Sequence, residues 1–164
     1  MADKVYHVLF VCTGNSARSI LAEGLMNALG KGRFVGHSAG SRPKVRPHPL
    51  ALQTLAAHRI PTDGLRSKSW DEFARPGAPA LDFVFTVCDL AAGEACPYWP
   101  GQPASAHWGL PDPAAVQGTA AQQHKAFLDT FVALTRRIEL LIALPIATLD
   151  RLALQSALKV IGQR

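Results

Sequence analysis

The segment Cys12-Thr13-Gly14-Asn15-Ser16-Ala17-Arg18-Ser19 gathers residue types that can do chemistry on a tetrahedral oxyanion. A cysteine is followed by a run of small or polar residues, then an arginine and a serine. Successive backbone N–H groups in a tight loop at a helix N-terminus converge on one point and bind an anion. Gly14 lets the backbone turn where a side chain would clash. Arg18 presents a planar fork of donors that matches an oxyanion. The same positive field favours the thiolate of Cys12, which is the nucleophilic form. Ser19 can hydrogen-bond the sulfur and assist its departure as a leaving group, and Asn15 is suited to holding the loop in shape through side-chain hydrogen bonds. The competing explanation, a buried core thiol at a strand end, accounts for Cys12 but not for the residues that follow it.

Such a loop works only if a strand delivers Cys12 and a helix starts behind it. The sequence supplies both. Val5 to Val11 is an apolar, β-branched run that reads as a buried parallel strand. Ser16 to Leu29 has helical character, with Ile20, Leu21, Leu25, Met26 and Leu29 on one face and Gly30 as the expected C-cap. Further strands are expected at Arg33–Ala39, Asp82–Val87 and Ser105–Trp108, and further helices at Pro49–Arg59 and Ala120–Ala143. In the last of these, Phe127, Phe131, Leu134, Ile138 and Leu141 form one apolar stripe. Pro145 precedes a final amphipathic segment, Ile146 to Ile161, with charges that suit a helix covering the core rather than a membrane anchor. Alternating strands and helices predict an α/β three-layer sandwich with a central, four-stranded parallel sheet and helices on both faces. Ligands of such sheets sit beyond the carboxyl ends of the strands. Cys12 and Cys88 each stand just past a predicted strand end, so parallel strands would place both thiols on one rim.

The whole composition is compatible with this picture. With 164 residues, 48% of them hydrophobic and 18% charged, one packed domain is expected and disorder is not. Aromatic residues are only 7%, so the expected core is mainly aliphatic. The net charge of +5 suits anionic ligands, but the basic residues are scattered, densest at Arg42, Lys44 and Arg46, and no nucleic-acid-binding motif accompanies them. The apolar N-terminal run is too short for a membrane span and has no signal-peptide pattern, so a cytoplasmic location is expected. Three cysteines in a reducing compartment point to reactive thiols rather than structural bridges. Zinc ligation by Cys88, Cys96 and a histidine is disfavoured because no close CxxC pair exists, so no metal is expected.

The stretch VCTGNSARS after the first strand resembles the signature of the low-molecular-weight protein tyrosine phosphatases and of the arsenate reductases that share their fold. The resemblance runs from about Val5 to Leu144. It implies a phosphatase-like domain over residues 1–145, with 146–164 as a helical extension of the same domain. By this likeness Cys12 is the nucleophile, Arg18 binds the oxyanion together with residues Thr13 to Ser19, and Asp112, in Asp112-Pro113, is the general acid. Two features favour the reductases. His107-Trp108-Gly109 and the Ala114 after Asp112-Pro113 are similar to their pattern, whereas phosphatases usually carry an aromatic residue after Asp-Pro. Cys88 and Cys96 resemble their redox pair, which a phosphatase does not need.

The implied reaction is reduction of arsenate, with phosphate or sulfate as analogues. Cys12 attacks, Asp112 protonates the departing water, and a Cys12–Cys88 disulfide forms and passes to Cys88–Cys96. External thioredoxin, or glutathione with glutaredoxin, then resets the pair. The alternative is hydrolysis of phosphotyrosine or small phosphoesters through a Cys12 phosphoenzyme; an oxyanion sensor is a third reading. Cys88 and Cys96 are eight residues apart. On a helix their Cα atoms would be roughly 12 Å apart, beyond the about 7 Å a disulfide tolerates. The segment between them is therefore expected to be partly helical when reduced and looped when oxidised. Ala17 replaces a cysteine common in the family, and the spacing of the last two cysteines is one residue longer than in the thioredoxin-coupled branch, which leaves the donor open. Asn15, Glu23 and Ser38 match that branch's potassium ligands, but Trp70 stands where an Asp is expected, so no tight potassium site or other bound cofactor is expected. His107 either approaches the Cys88 region or is structural.

Overall fold

The computed structural model describes residues 4–88, 99 and 102–164. Strand β1 spans Tyr6–Cys12, helix α1 Arg18–Gly30, β2 Phe34–Gly40, α2 Pro49–Ala57, β3 Phe83–Thr86, β4 Ala104–His107, α3 Ala120–Ala143 and α4 Arg151–Ile161. The four strands form one parallel sheet in the order β2-β1-β3-β4. With the helices layered on it, this is the three-layer α/β architecture that the alternation of strands and helices predicts. Cys96, and with it the expected helix-to-loop change between Cys88 and Cys96, lies outside the described residues.

The central position of β1 explains its composition. It pairs with β2 on one side and β3 on the other, and every residue from Val8 to Cys12 is buried. A strand covered on both faces needs a continuous apolar run rather than alternation. The chain leaves β1 towards β2 and returns on the other side as β3, so the strand order reverses between β1 and β3. Sheets of this kind bind ligands in the crevice at that reversal. Cys12 is the last residue of β1 and Cys88 follows two residues after β3, so both sulfurs stand on that rim.

The stripe on α3 is buried as its spacing requires: Phe127, Phe131, Leu134, Ile138 and Leu141 all face the interior. Most of the buried apolar residues are aliphatic, as expected. Few as the aromatics are, Phe10, Phe34, Phe83, Phe85, Phe127 and Trp108 are among the largest fully buried side chains. Phe85 stacks on Trp108 with ring centres 3.7 Å apart, and Phe10 lies against both.

Three boundaries differ from expectation for physical reasons. Helix α1 begins at Arg18, not Ser16, because residues 13–17 wrap around the site; Ala17 at the N-cap makes no side-chain cap. The left-handed residue that ends α1 is Lys31, at φ 49°, rather than Gly30. The final amphipathic segment is not one helix. Residues 146–148 form a 3-10 turn, and Asp150 then caps α4 by accepting from the Ala153 amide at 2.7 Å. Among the described residues no helix is long and apolar enough to cross a membrane, and no group of three or more His, Cys, Asp or Glu is placed to hold a metal.

Candidate active site

The loop after β1 is held by its carbonyls. Arg42 N donates to Thr13 O, Lys44 N to Gly14 O and His48 N to Ser16 O, each at 2.9 Å. Ser67 Oγ donates to Asn15 O at 2.6 Å. Two segments, 42–48 and 67–68, thus grip the outside of the loop. A trans peptide points its N–H opposite to its C=O. Tying the carbonyls of residues 13–16 outward therefore turns the amides of Gly14, Asn15, Ser16 and Ala17 inward. That is the arrangement an anion requires.

The fit of this loop against β2 depends on one missing side chain. A Cβ on Gly40 would lie 2.4 Å from Thr13 O and 2.9 Å from Cys12 O, both backbone atoms that cannot swing aside. Nothing larger than glycine lets the end of β2 approach so closely.

Asn15 is fully buried and sits at φ 46°, the left-handed region that asparagine tolerates better than most residues. Its Oδ1 accepts from the Lys68 backbone amide at 2.9 Å, a donor that fixes the amide orientation. Nδ2 then donates to Ser19 Oγ at 2.8 Å, and Ser19 Oγ lies 2.8 Å from Cys12 Sγ. The Asn15 backbone amide also donates to Cys12 Sγ, at 3.2 Å. With Asn15 supplying a proton to the serine oxygen, the serine hydroxyl proton is directed at the sulfur whenever that sulfur is a thiolate.

Cys12, Thr13, Gly14, Ser16, Ala17 and Arg18 line a cavity of about 210 Å³. Arg42, Lys44 and Asp112 complete its mouth. Arg18 Nη1 donates to Leu110 O at 2.8 Å, while Nη2 is 3.8 Å from Asp112 Oδ2. Asp112 accepts from the Ala114 amide at 3.0 Å, so it caps the 3-10 turn 113–115 while its other oxygen faces Arg18. The turn-forming and site-facing readings of this residue thus coexist. Cys88 Sγ accepts from the Thr13 amide at 3.3 Å and lies 3.5 Å from Thr13 Oγ1. Thr13, expected among the oxyanion ligands, therefore also links the second cysteine to the loop. His107 sits on β4 opposite Thr86, with Nδ1 2.8 Å from Thr86 Oγ1.

Three groups escaped the sequence reading as parts of the site. Arg42 and Lys44 were visible only as a basic run, and nothing local tied that run to the loop. Lys68 is the third. Its buried ammonium lies 3.4 Å from both Glu23 Oε1 and Ser38 Oγ and donates to Arg66 O at 2.7 Å. Ser38 Oγ in turn donates to the same Glu23 oxygen at 2.5 Å. Burial pushes the Lys68 ammonium below its ordinary range, and the Glu23 carboxylate opposes that shift. A lysine side chain thus fills the space among Glu23, Ser38 and the back of the Asn15 loop.

A parallel sheet whose central strand ends in a cysteine, with inward amides and an arginine behind it, is an arrangement suited to thiolate chemistry on oxyanions. The chain belongs to the low molecular weight phosphotyrosine protein phosphatase family, whose model matches residues 7–152. Among its curated relatives is the arsenate reductase of Oceanobacillus iheyensis, 32% identical over 127 residues, which are 77% of this chain and 86% of that protein. The glutaredoxin arsenate reductase of a Synechocystis species is 33% identical over 106 residues, covering 65% of this chain and 77% of the relative. A solved arsenate reductase in the phosphate binding state superposes with a TM-score of 0.68 at 30% identity, over 85% of this chain and 98% of the other.

Proposed function

We propose that this protein reduces arsenate to arsenite in the cytoplasm, using Cys12, Cys88 and Cys96 in sequence. The observation that carries the reading is the placement of two sulfurs on one rim, with Thr13, the residue next to Cys12, in contact with Cys88 Sγ. A phosphatase needs the cradle but not the second sulfur. The arsenate reductases among the relatives, one of them seen in a phosphate binding state, support the same choice.

In this reading the inward amides and Arg18 hold the oxyanion against Cys12. The thiolate attacks the pentavalent arsenic, a sulfur–arsenic bond forms, and water leaves with a proton from Asp112. Cys88 then attacks the Cys12 sulfur. A sulfur–sulfur bond forms, the electron pair of the sulfur–arsenic bond passes to arsenic, and arsenite departs in the trivalent state. Cys96 attacks Cys88, freeing Cys12, and an external dithiol such as thioredoxin or glutaredoxin reduces the Cys88–Cys96 disulfide. Ser19 steadies the thiolate at the start and when Cys12 departs. Residues 1–145 carry this chemistry, and 146–164 act as a helical extension of the same domain.

The test is arsenate-dependent consumption of reductant by the wild type and by Cys12→Ser, Cys88→Ser and Cys96→Ser. Loss of turnover in all three is the expected result. Full activity in Cys88→Ser would sink the relay, and fast phosphoester hydrolysis without arsenate turnover would make the protein a phosphatase.

A further inference from the structure

The loop that carries Asp112 is held at its base by two arginines, Arg18 in the cradle and Arg137 outside its lining. Trp108 is fully buried, and its carbonyl accepts from Arg137 Nη1 at 2.7 Å. The same nitrogen reaches Gly109 O at 3.4 Å. Leu110 O is taken by Arg18 at 2.8 Å. Two guanidinium groups thus bind three successive carbonyls immediately before Pro111-Asp112. After Asp112, the 113–115 turn packs on α3, the helix that bears Arg137.

The far side of this grip is built by the last helix. Trp108 Nε1 donates to Leu158 O at 3.0 Å. Arg137 Nε and Nη2 each lie 3.4 Å from Arg164 O. Gly162 lies so close that a Cβ there would stand 2.6 Å from His107 O and 2.8 Å from the Trp108 ring. Leu158, Gly162 and Arg164 fall beyond residue 152, where the match to the family model ends.

The geometry points to a positioning role for this segment: α4 and the residues after it act through Trp108 and Arg137 to fix the reach of Asp112 into the cradle. Arg137 is a positioning residue and touches no reacting group. The inference rests on the proposed role of Asp112 as the acid that protonates departing oxygen. A fixed acid matters because a displacement of about 1 Å can slow a reaction by orders of magnitude.

The experiment compares full-length wild type with Arg137→Met, Arg137→Lys, Asp112→Asn and the Arg137→Met/Asp112→Asn double variant. Turnover of arsenate is read with excess external thiol, and oxyanion binding by phosphate protection of Cys12 from iodoacetate. Arg137→Met is expected to lower kcat about tenfold while phosphate protection changes by less than about twofold. Arg137→Lys should recover part of the loss. The double variant should be no slower than Asp112→Asn alone, because both changes remove the same contribution. Trp108→Phe keeps a ring against Phe85 but removes the donor to Leu158 O, and it should show the same pattern if Arg137→Met fails to fold. A lowered melting temperature with unchanged kcat, or losses that multiply in the double variant, would overturn the positioning role. If Asp112→Asn slows turnover and Arg137→Met and Trp108→Phe do not, the brace alone is wrong. If Asp112→Asn has no effect, the acid assignment falls and the brace falls with it.

Discussion

Cys12 sits at the end of a hydrogen-bonded line, and each member of that line has a separable job. Ser19 Oγ, 2.8 Å from the sulfur, is the donor most directly aimed at a thiolate. A hydrogen bond to a charged group contributes roughly 1.5–3 kcal/mol. Ser19→Ala should therefore slow alkylation of Cys12 by iodoacetamide at neutral pH and slow turnover by about tenfold or more; an unchanged alkylation rate would mean that the Ser19 hydroxyl does not set the reactivity of the sulfur. Behind Asn15, Lys68 and Glu23 form a second layer, 3.4 Å apart and both largely buried. Removing one member of such a pair leaves the other charge without its partner, at a cost of several kcal/mol. Lys68→Met should lower the urea midpoint markedly, and adding Glu23→Gln should recover a substantial part of it. Equal loss in the single and double variants would show that Lys68 acts through its packing and not its charge.

Among the elements, the strands, the principal helices and the cysteine-arginine loop were legible because their signals are local. The run Val8–Val11, the α3 stripe and the Cys12–Arg18 spacing all lie within single segments. What joins them was not legible. Segment 42–48 and Lys68 bind the loop through backbone amides, which leave no trace in side-chain identity, and Ser67 adds a hydroxyl that nothing in the local sequence distinguishes from any other serine. Lys68 reads as one more scattered base until Glu23 and Ser38 are brought beside it. The left-handed end of α1 is Lys31, while Gly30 meets a different need: a Cβ there would lie 2.8 Å from Phe34. Gly40 makes the same point where β2 meets the loop. Its replacement by alanine puts a methyl group against Thr13 O. Gly40→Ala is expected to abolish phosphate protection of Cys12 while far-ultraviolet circular dichroism stays that of a folded chain. The control is Thr119→Ala, which removes the capping box of α3. It should cost about 1 kcal/mol of stability and leave phosphate protection intact. Retained protection in Gly40→Ala would mean that the loop can move away from β2 without losing its shape.

For the molecule as a whole, acidity acts through histidines that do not line the cavity. His7 on β1 and His37 on β2 stack with ring centres 5.3 Å apart, and His7 Nδ1 lies 3.0 Å from His37 Nε2. Burial, then the nearby charges of His7 and Lys68, push His37 down to about 4. Phe73 covers its other side. The folded state therefore resists a proton that the unfolded chain accepts at about 6.5. Above that pH neither state is protonated and the full stability is present. As the pH falls through 6.5 towards 4, the unfolded state binds a proton first, and stability drains away with each step. By pH 5 the loss attributable to His37 should approach about 2 kcal/mol. His48, also pushed down by burial, adds in the same direction. Aspartates and glutamates titrate mostly below this window, so the interval between pH 7 and 5 isolates the histidines. Urea unfolding of the wild type across that interval should show a falling midpoint, and His37→Gln should flatten most of the slope while His48 retains the remainder. A slope that persists undiminished in His37→Gln would mean that the folded protein accommodates the proton at this pair, with the two rings sharing it across their 3.0 Å contact.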